Sequence, residues 1–327
     1  MHGIPRGLVF AIYYPILAAI GVPANLAVIV ILSRRTCGLS RCILFYLLAM
    51  AVTDLLIMVT VVILNRIVGI YFPFSFLSMT SICSIRAALN FATIDISAWL
   101  TVAFTFDRFV AISCQKLKIM YCTVRTAAWV TIFISAIIGV KNTFMYLVYE
   151  PMYIVNNVAW FCGVRAIFYK SPAWAAYDWI RIILTPCLPF ILILLLNALT
   201  VRHILAANRA RRRLRIQSNG EKQSDPEMEK RRTSIVLLFA ISGSFILLYL
   251  LFFMTIVYAR IADLTYSSGY DSSNSTSYFL QQIGYVLQLL SSCINPFIYA
   301  GTQKKFRGEL KKGMEYPVNL FVKIFKL

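Results

Sequence analysis

Seven long runs of apolar residues, separated by short polar segments, make up most of the chain. Each run exceeds the roughly 20 apolar residues that a helix needs to cross the hydrocarbon core of a bilayer. The pattern therefore predicts an all-α fold, a bundle of seven transmembrane helices. The runs cover residues 8–32, 43–67, 82–112, 127–149, 173–203, 234–258 and 278–301.

Composition and charge agree with a membrane protein and indicate its sidedness. Of the 327 residues, 60% are hydrophobic and 14% are charged, whereas a soluble domain carries about 25% charged residues. The connections after the first, third and fifth runs and the tail, together with Arg108 and Arg202 at the adjoining ends of two runs, hold 24 of the 32 lysine and arginine residues. Because basic connections favour the cytosolic side, we predict an extracellular N-terminus. The same bias explains the net charge of +19 without a nucleic-acid partner.

The third run places a cysteine and an Asp-Arg pair at opposite membrane faces. As a helix, Cys83 to Arg108 rises about 37 Å, more than the bilayer core. Cys83 and Cys162 both lie near the predicted outer, oxidising side, so a disulfide between them is predicted. Two free thiols are the alternative. The other cysteines fall on the reducing side or within the runs, and we expect them to remain unpaired.

Polar residues lie deep in several runs, where buried charge is energetically costly in hydrocarbon, so they indicate a structural or functional role. Asp54 supplies a carboxylate, and the others supply hydroxyl and amide oxygens that suit a small hard cation with water. A hydrogen-bonded network that joins the helices is the alternative. The set is Asn25, Asp54, Ser97, Ser291, Ser292 and Asn295.

Charged residues also occur in the outer halves of the third and fifth runs. Asp95 follows Phe91 by four residues, so both lie on one helix face, whereas Arg86 lies about half a turn out of phase with Asp95. Asp95 and Arg181 are expected either to neutralise each other across the two helices or to bind the amine and the carboxylate of a zwitterionic ligand.

Asp107 and Arg108 lie at the predicted inner membrane edge. Adjacent opposite charges can pair with each other, or Arg108 can turn to another partner. An ordinary anchor at the basic inner face is the simpler interpretation from the residues alone.

These motifs, in this order, make the chain similar to the rhodopsin-like (class A) G-protein-coupled receptors. The resemblance covers nearly the whole chain and includes features beyond those above: a GxPxN pattern that ends at Asn25, Trp129, Pro189 with Asn197, and Asn295-Pro296-Phe297-Ile298-Tyr299. Within the family, Tyr13-Tyr14 and the segment 95–99 resemble an orphan branch proposed to sense the aromatic amino acids tryptophan and phenylalanine.

The resemblance implies a domain organisation and a set of roles. Residues 1–7 are expected to form a short extracellular N-terminus, 8–301 the receptor domain, and 302–327 a short amphipathic eighth helix and cytoplasmic tail. The implied function is a plasma-membrane receptor, not an enzyme, that binds a small-molecule or peptide ligand and activates a heterotrimeric G protein. A basic segment at 209–215 is expected to meet the G protein or anionic membrane lipid.

Site residues follow from the same resemblance. Asp107, Arg108, Asn197 and Tyr299 are expected to form the G-protein switch, and Asn25, Asp54, Ser97, Ser291 and Asn295 a core that holds an allosteric sodium ion. No other cofactor or metal is expected. The implied ligand pocket consists of Arg86, Asn90, Phe91, Ile94, Asp95, Arg181, Tyr249, Phe252, Phe253 and Tyr285.

The chain departs from the family at three informative positions. The sixth run reads Leu248-Tyr249-Leu250-Leu251 where the family has Cys-Trp-x-Pro, so the usual proline kink is missing. Asn90 replaces the amine-binding acid, which disfavours a monoamine ligand, and Leu289 replaces the retinal-linking lysine, which disfavours a photoreceptor.

Two further expectations concern alternatives and modification. A multi-pass transporter or channel that uses Asp54 and Asp95 is the rival interpretation, disfavoured by seven spans and by the lack of an internal repeat. An enzyme is disfavoured because the chain has only two histidines and none of the common catalytic motifs.

Asn274, in Asn274-Ser275-Thr276, is a predicted glycosylation site in the last outer connection.

Overall fold

Seven helices long and apolar enough to cross a membrane form the body of the computed structural model, which describes residues 8–34, 37–217, 226–261 and 275–325. The predicted all-α, seven-transmembrane architecture is confirmed. The spans are Val9–Arg34, Arg41–Tyr71, Thr80–Ser113, Val124–Val148, Pro172–Arg209, Arg232–Tyr258 and Phe279–Thr302. The sixth and seventh helices begin before their spans, at Pro226 and Ser275.

The third helix lies at the centre of the bundle. In its apolar window 67% of the residues are buried, against 17% in the fourth helix, whose outer surface is available to lipid. Apolar clusters surround it at both ends. One, near Asp107 and Arg108, includes Leu47, Leu100 and Leu237. We call this end of the bundle the inner end and the end near Cys83 the outer end, following the predicted sidedness.

Two of the spanning helices are interrupted by irregular turns. The second is α-helical over Arg41–Ile57, has a wide π-helical segment at Met58–Ile67, and ends with Val68–Tyr71. The fifth is helical over Pro172–Ile182 and again from Leu188 to Gln217, with a break between the two parts. The break is centred on Thr185, which has φ −158° and ψ 114°, because a residue that precedes proline is driven out of the helical region.

A β-hairpin covers the outer end, which the apolar pattern did not predict. Strands β1 (Tyr149–Val155) and β2 (Val158–Val164) pair antiparallel, with Pro151 opposite Cys162. Asn156 and Asn157 form the two-residue turn with φ of 50° and 60°, the left-handed geometry that asparagine tolerates and such hairpins require. The predicted disulfide is confirmed: Cys83 and Cys162 are bonded, with their Cα atoms 6.0 Å apart. The disulfide ties the hairpin to the top of the third helix.

Short helices lie at both ends of the bundle. Gln115–Tyr121 forms a helix in the connection between the third and fourth spans, and Ala166–Lys170 forms another before the fifth. The eighth helix runs over Lys304–Phe325. Its residue Phe306 is buried against Tyr299 of the seventh helix, with ring centroids 6.2 Å apart, so the eighth helix is anchored to the bundle by an aromatic contact.

Candidate functional site

A cavity of about 160 Å³ opens at the outer end, beneath the hairpin and among the second to seventh helices. Residues from successive turns of the third helix line the cavity, because positions three to four apart share a helix face. Seven of the predicted pocket residues line the cavity: Asn90, Phe91, Ile94, Asp95, Arg181, Phe252 and Tyr285.

Three predicted pocket residues, all within the described ranges, do not line this cavity. Arg86 turns away and donates a hydrogen bond to the carbonyl oxygen of Leu64 in the second helix. Tyr249 is buried one turn deeper, where its ring stacks on Phe245 with centroids 4.0 Å apart. Phe253 stacks on Phe190 of the fifth helix at 4.9 Å. Each side chain is on the expected helix, but Arg86 and Phe253 contact a neighbouring helix and Tyr249 stacks within its own.

Several lining residues were missed by the sequence reasoning, above all Arg66. Its guanidinium carbon lies 4.5 Å from the centroid of the Tyr285 ring, a cation–π distance. On a regular helix Arg66 lies about 120° around from Asp54, and only the π-helical segment brings it to the cavity. Other polar lining residues that were missed lie on the second, fifth and seventh helices: Asn65, Asp178, Thr185, Gln281, Gln282 and Gln288.

Asp95 does not pair with Arg181, so the predicted mutual pair is wrong. Asp95 Oδ2 accepts from Lys141 Nζ at 2.6 Å and from Asn142 Nδ2 at 3.0 Å, both on the fourth helix. Lys141 Nζ also lies 3.5 Å from Thr185 Oγ1, at the break in the fifth helix. The buried charge is thus neutralised by the helix adjacent to the third rather than across the cavity. A lysine in the fourth apolar run was the signal that could have revealed this pair.

Arg181 finds its partner on its own helix. Its Nε and Nη2 both donate to Asp178 Oδ1, at 3.0 and 2.8 Å. The two residues are three positions apart, a spacing that places side chains side by side on a helix. The guanidinium carbon lies 5.0 Å from the centroid of Phe91. Arg181 is therefore part of the cavity wall, where it pairs with Asp178 and lies over the ring of Phe91.

The polar residues deep in the bundle converge on Asp54, which is fully buried. Its Oδ1 accepts from Ser97 Oγ at 3.2 Å and its Oδ2 from Asn295 Nδ2 at 2.8 Å. Asn25 donates to the carbonyl oxygens of Gly21 and Ser292, at 2.9 and 3.0 Å. Ser291 is buried in the same turn of the seventh helix as Ser292. In the described part of the chain no cationic side chain pairs with Asp54.

At the inner end, Asp107 and Arg108 pair with each other and are both buried. Arg108 Nε donates to Asp107 Oδ2 at 2.9 Å, and Arg108 Nη1 donates to Ser234 Oγ of the sixth helix at 3.4 Å. Burial and the contact with another helix mean that Arg108 is more than a surface anchor. It links the third helix to the sixth.

Two more predicted switch residues lie on the fifth and seventh helices. Asn197 Nδ2 donates to Ser242 Oγ at 2.9 Å, which joins the fifth helix to the sixth. Tyr299 is buried, and its hydroxyl has no hydrogen-bond partner among the described residues. An unsatisfied buried hydroxyl costs free energy, and this cost favours a rearrangement of the Tyr299 side chain.

Two thiols complete the surroundings of Asp107. Cys42 Sγ donates to Asp107 Oδ1 at 3.1 Å, and Cys122 Sγ donates to the Asp107 carbonyl oxygen at 3.6 Å. Burial, and then the Asp107 charge, raise the pKa of Cys122, in the connection after the third helix, to about 12. Cys122 therefore stays a neutral thiol. As expected, it forms no disulfide, and neither do the other five cysteines outside the bridge.

Residues 24–299 match the family described as 7 transmembrane receptor (rhodopsin family). The match covers well over half of the chain, so the chain belongs to the rhodopsin family of seven-transmembrane receptors. Members of this family are multi-pass proteins of the plasma membrane and are receptors rather than enzymes. The predicted glycosylation site, Asn274, lies outside the described residues.

Proposed function

We propose that this receptor binds a small ligand bearing an aromatic ring in the cavity at the outer end and activates a heterotrimeric G protein at the inner end. One observation carries the proposal: a single helix lines the cavity through Phe91 and Asp95 and holds the buried Asp107–Arg108 pair at its other end. Arg108 contacts Ser234 of the sixth helix. A ligand that shifts the third helix against the sixth therefore acts on both ends. The N-terminus is extracellular in this proposal.

The size and lining of the cavity support a small aromatic ligand. A cavity of about 150 Å³ holds one benzene-sized ring, and this one measures about 160 Å³. Phe91, Phe252 and Tyr285 provide ring faces on three helices, and glutamine and asparagine side chains provide a few polar groups. Such a mixture of apolar wall and sparse polar groups is typical of ligand sites. Aromatic amino acids and short peptide-like compounds are the candidates.

The Asp54 network supports an allosteric sodium site. Asp54 contributes a carboxylate without a cationic partner among the described residues, and Ser97 and Asn295 contribute hydroxyl and amide groups. The amide oxygen of Asn25 is buried and has no hydrogen-bond partner within the described part of the chain. Oxygen donors around one carboxylate suit a small hard cation. Asp54, Ser97 and Asn295 are the residues that would hold the ion, and its charge would compensate the buried carboxylate.

Release of the link between Arg108 and Ser234 is the proposed switch at the inner end. The Arg108–Ser234 hydrogen bond is long, at 3.4 Å, and the Asn197–Ser242 bond is shorter, at 2.9 Å. We expect the weaker bond to break first when the sixth helix moves. Separation of the third and sixth helices at this point opens the inner end of the bundle. The G protein can then contact this end and the basic segment that continues the fifth helix.

The proposal is tested by second-messenger recordings in transfected cells exposed to aromatic amino acids, their amides and short peptides. Phe91→Ala removes one cavity ring and is expected to weaken the response to any active compound about tenfold or more. Phe133→Ala is the matched control, since Phe133 is exposed on the surface of the fourth helix. Arg108→Ala is expected to abolish the response when it is compared with wild type at equal surface expression. Equal potency of an active compound on wild type and Phe91→Ala would remove the cavity from the proposal.

A further inference from the structure

The cluster around Asp95 has a feature that the family resemblance did not suggest. Lys141 and Asn142 are consecutive residues on the fourth helix, and both bind the same carboxylate oxygen of Asp95, at 2.6 and 3.0 Å. The side chains of Lys141 and Asp95 are 13% and 8% exposed, respectively. An ion pair so withdrawn from solvent holds its partners far more firmly than a surface pair does.

The two members of the pair are placed differently with respect to the cavity. Asp95 lines it, whereas Lys141 is not among its lining residues and approaches Asp95 from the fourth helix. Both hydrogen bonds to the Asp95 carboxylate end on Oδ2. A ligand in the cavity therefore meets a carboxylate whose charge is already neutralised but whose second oxygen still accepts hydrogen bonds.

The other acidic residue of the cavity wall is neutralised too. Asp178 pairs with Arg181 at 2.8 Å. Among the described lining residues, Asp95 and Asp178 are the two with carboxylate side chains, and each has a cation of this chain as its partner. The cavity thus contains carboxylates that do not offer a counter-charge to a ligand.

We propose that Lys141 is a specificity-determining residue, because its ion pair with Asp95 neutralises that carboxylate. The cavity then selects aromatic ligands whose polar group beside Asp95 is a neutral N–H or O–H donor, such as a peptide amide. It rejects ligands that place an ammonium group there. This inference rests on the proposed function of the cavity. An ammonium at Asp95 places two cations around one buried carboxylate, in a medium where like charges repel strongly. A neutral donor hydrogen-bonds to Oδ1 without disturbing the pair.

The test uses three probes with one ring and different charge: 2-phenylethylamine, phenylacetamide and phenylacetate. Binding is measured as the ligand-induced shift in melting temperature of the purified full-length protein. Lys141→Met leaves Asp95 as a lone carboxylate and is expected to bind 2-phenylethylamine about tenfold to hundredfold more tightly than wild type. Asp95→Asn leaves Lys141 as a lone cation and is expected to favour phenylacetate to a similar extent.

Controls separate charge from packing. Lys141→Arg keeps the cation and is expected to bind the three probes as wild type does. The double variant Asp95→Asn with Lys141→Met removes both charges and is expected to lose the gain for 2-phenylethylamine. The proposal is overturned if Lys141→Met binds the amine no more tightly than wild type, or if wild type binds the amine more tightly than phenylacetamide and loses it in Asp95→Asn.

Folding of the variants gives a second measurement. A lone buried charge lowers stability, so both single variants are expected to reach the cell surface less well than wild type. Recovery of surface expression in the double variant supports the pair, and equal loss in the double variant and the single variants overturns it. Since no G protein takes part in either measurement, a failure of the proposed coupling leaves both results unaffected.

Discussion

Gly284 lies at a close approach of the sixth and seventh helices, and Gly284→Ala is expected to destabilise the bundle. A Cβ atom on Gly284 would lie 2.8 Å from the backbone nitrogen of Phe252 and 2.9 Å from its Cα. Ordinary contacts of a Cβ begin at 3.4 Å. Because the obstructing atoms are backbone, no side-chain rotation relieves the contact, and the two helices must separate by about half an ångström.

The expected magnitude combines two opposing effects. Overpacking of this kind costs about 1–3 kcal/mol, while replacing a helical glycine by alanine gains up to about 1 kcal/mol. Gly243→Ala in the sixth helix is the matched control, since nothing lies within 4 Å of a Cβ built there. The difference between the two variants removes the helix-propensity contribution, and we expect it to be about 1–3 kcal/mol in favour of Gly243→Ala.

Thermal unfolding of the two purified variants in one detergent measures this difference. Gly284→Ala is expected to melt at least about 2 °C below Gly243→Ala. A melting temperature of Gly284→Ala equal to or above that of the control would show that the two helices are not packed backbone to backbone at this point. The cavity borders this contact through Phe252, so the same separation is expected to alter ligand affinity.

Three further predictions concern the disulfide, the buried carboxylate and a thiol. Cys83→Ser is expected to lower stability by about 2–5 kcal/mol, because the bridge joins positions 79 residues apart; a melting temperature that is unchanged from wild type under non-reducing conditions would contradict this. Asp54→Asn is expected to abolish the difference in melting temperature between NaCl and choline chloride, and a difference of wild-type size in the variant would argue against a sodium site. Cys122, with its pKa raised to about 12, is expected to be alkylated at pH 7.4 on the order of 10³-fold more slowly than an ordinary thiol; rapid labelling seen by mass spectrometry would refute the raised pKa.

The sequence was most informative where a property is local. Each span could be recognised because its length and hydropathy depend only on neighbouring residues. The Cys83–Cys162 disulfide could be predicted because the sidedness of the chain left two cysteines on the oxidising side. The hairpin was missed although Asn156-Asn157 is a turn signal, because its strands alternate too weakly to stand out beside the spans.

Which charged side chains meet was decided by the tertiary structure alone. An ion pair between helices depends on the rotation and the relative height of both, and neither can be read from one helix. Asp95 therefore pairs with Lys141 instead of Arg181, and the π-helical segment of the second helix turns Arg66 to the cavity. The sequence by itself determined that the chain spans a membrane seven times and that Asp54 and other polar residues lie deep in the spans. The packing decided which of them lie together, because contacts between helices are set by their mutual geometry, whereas membrane insertion is set by the composition of each helix.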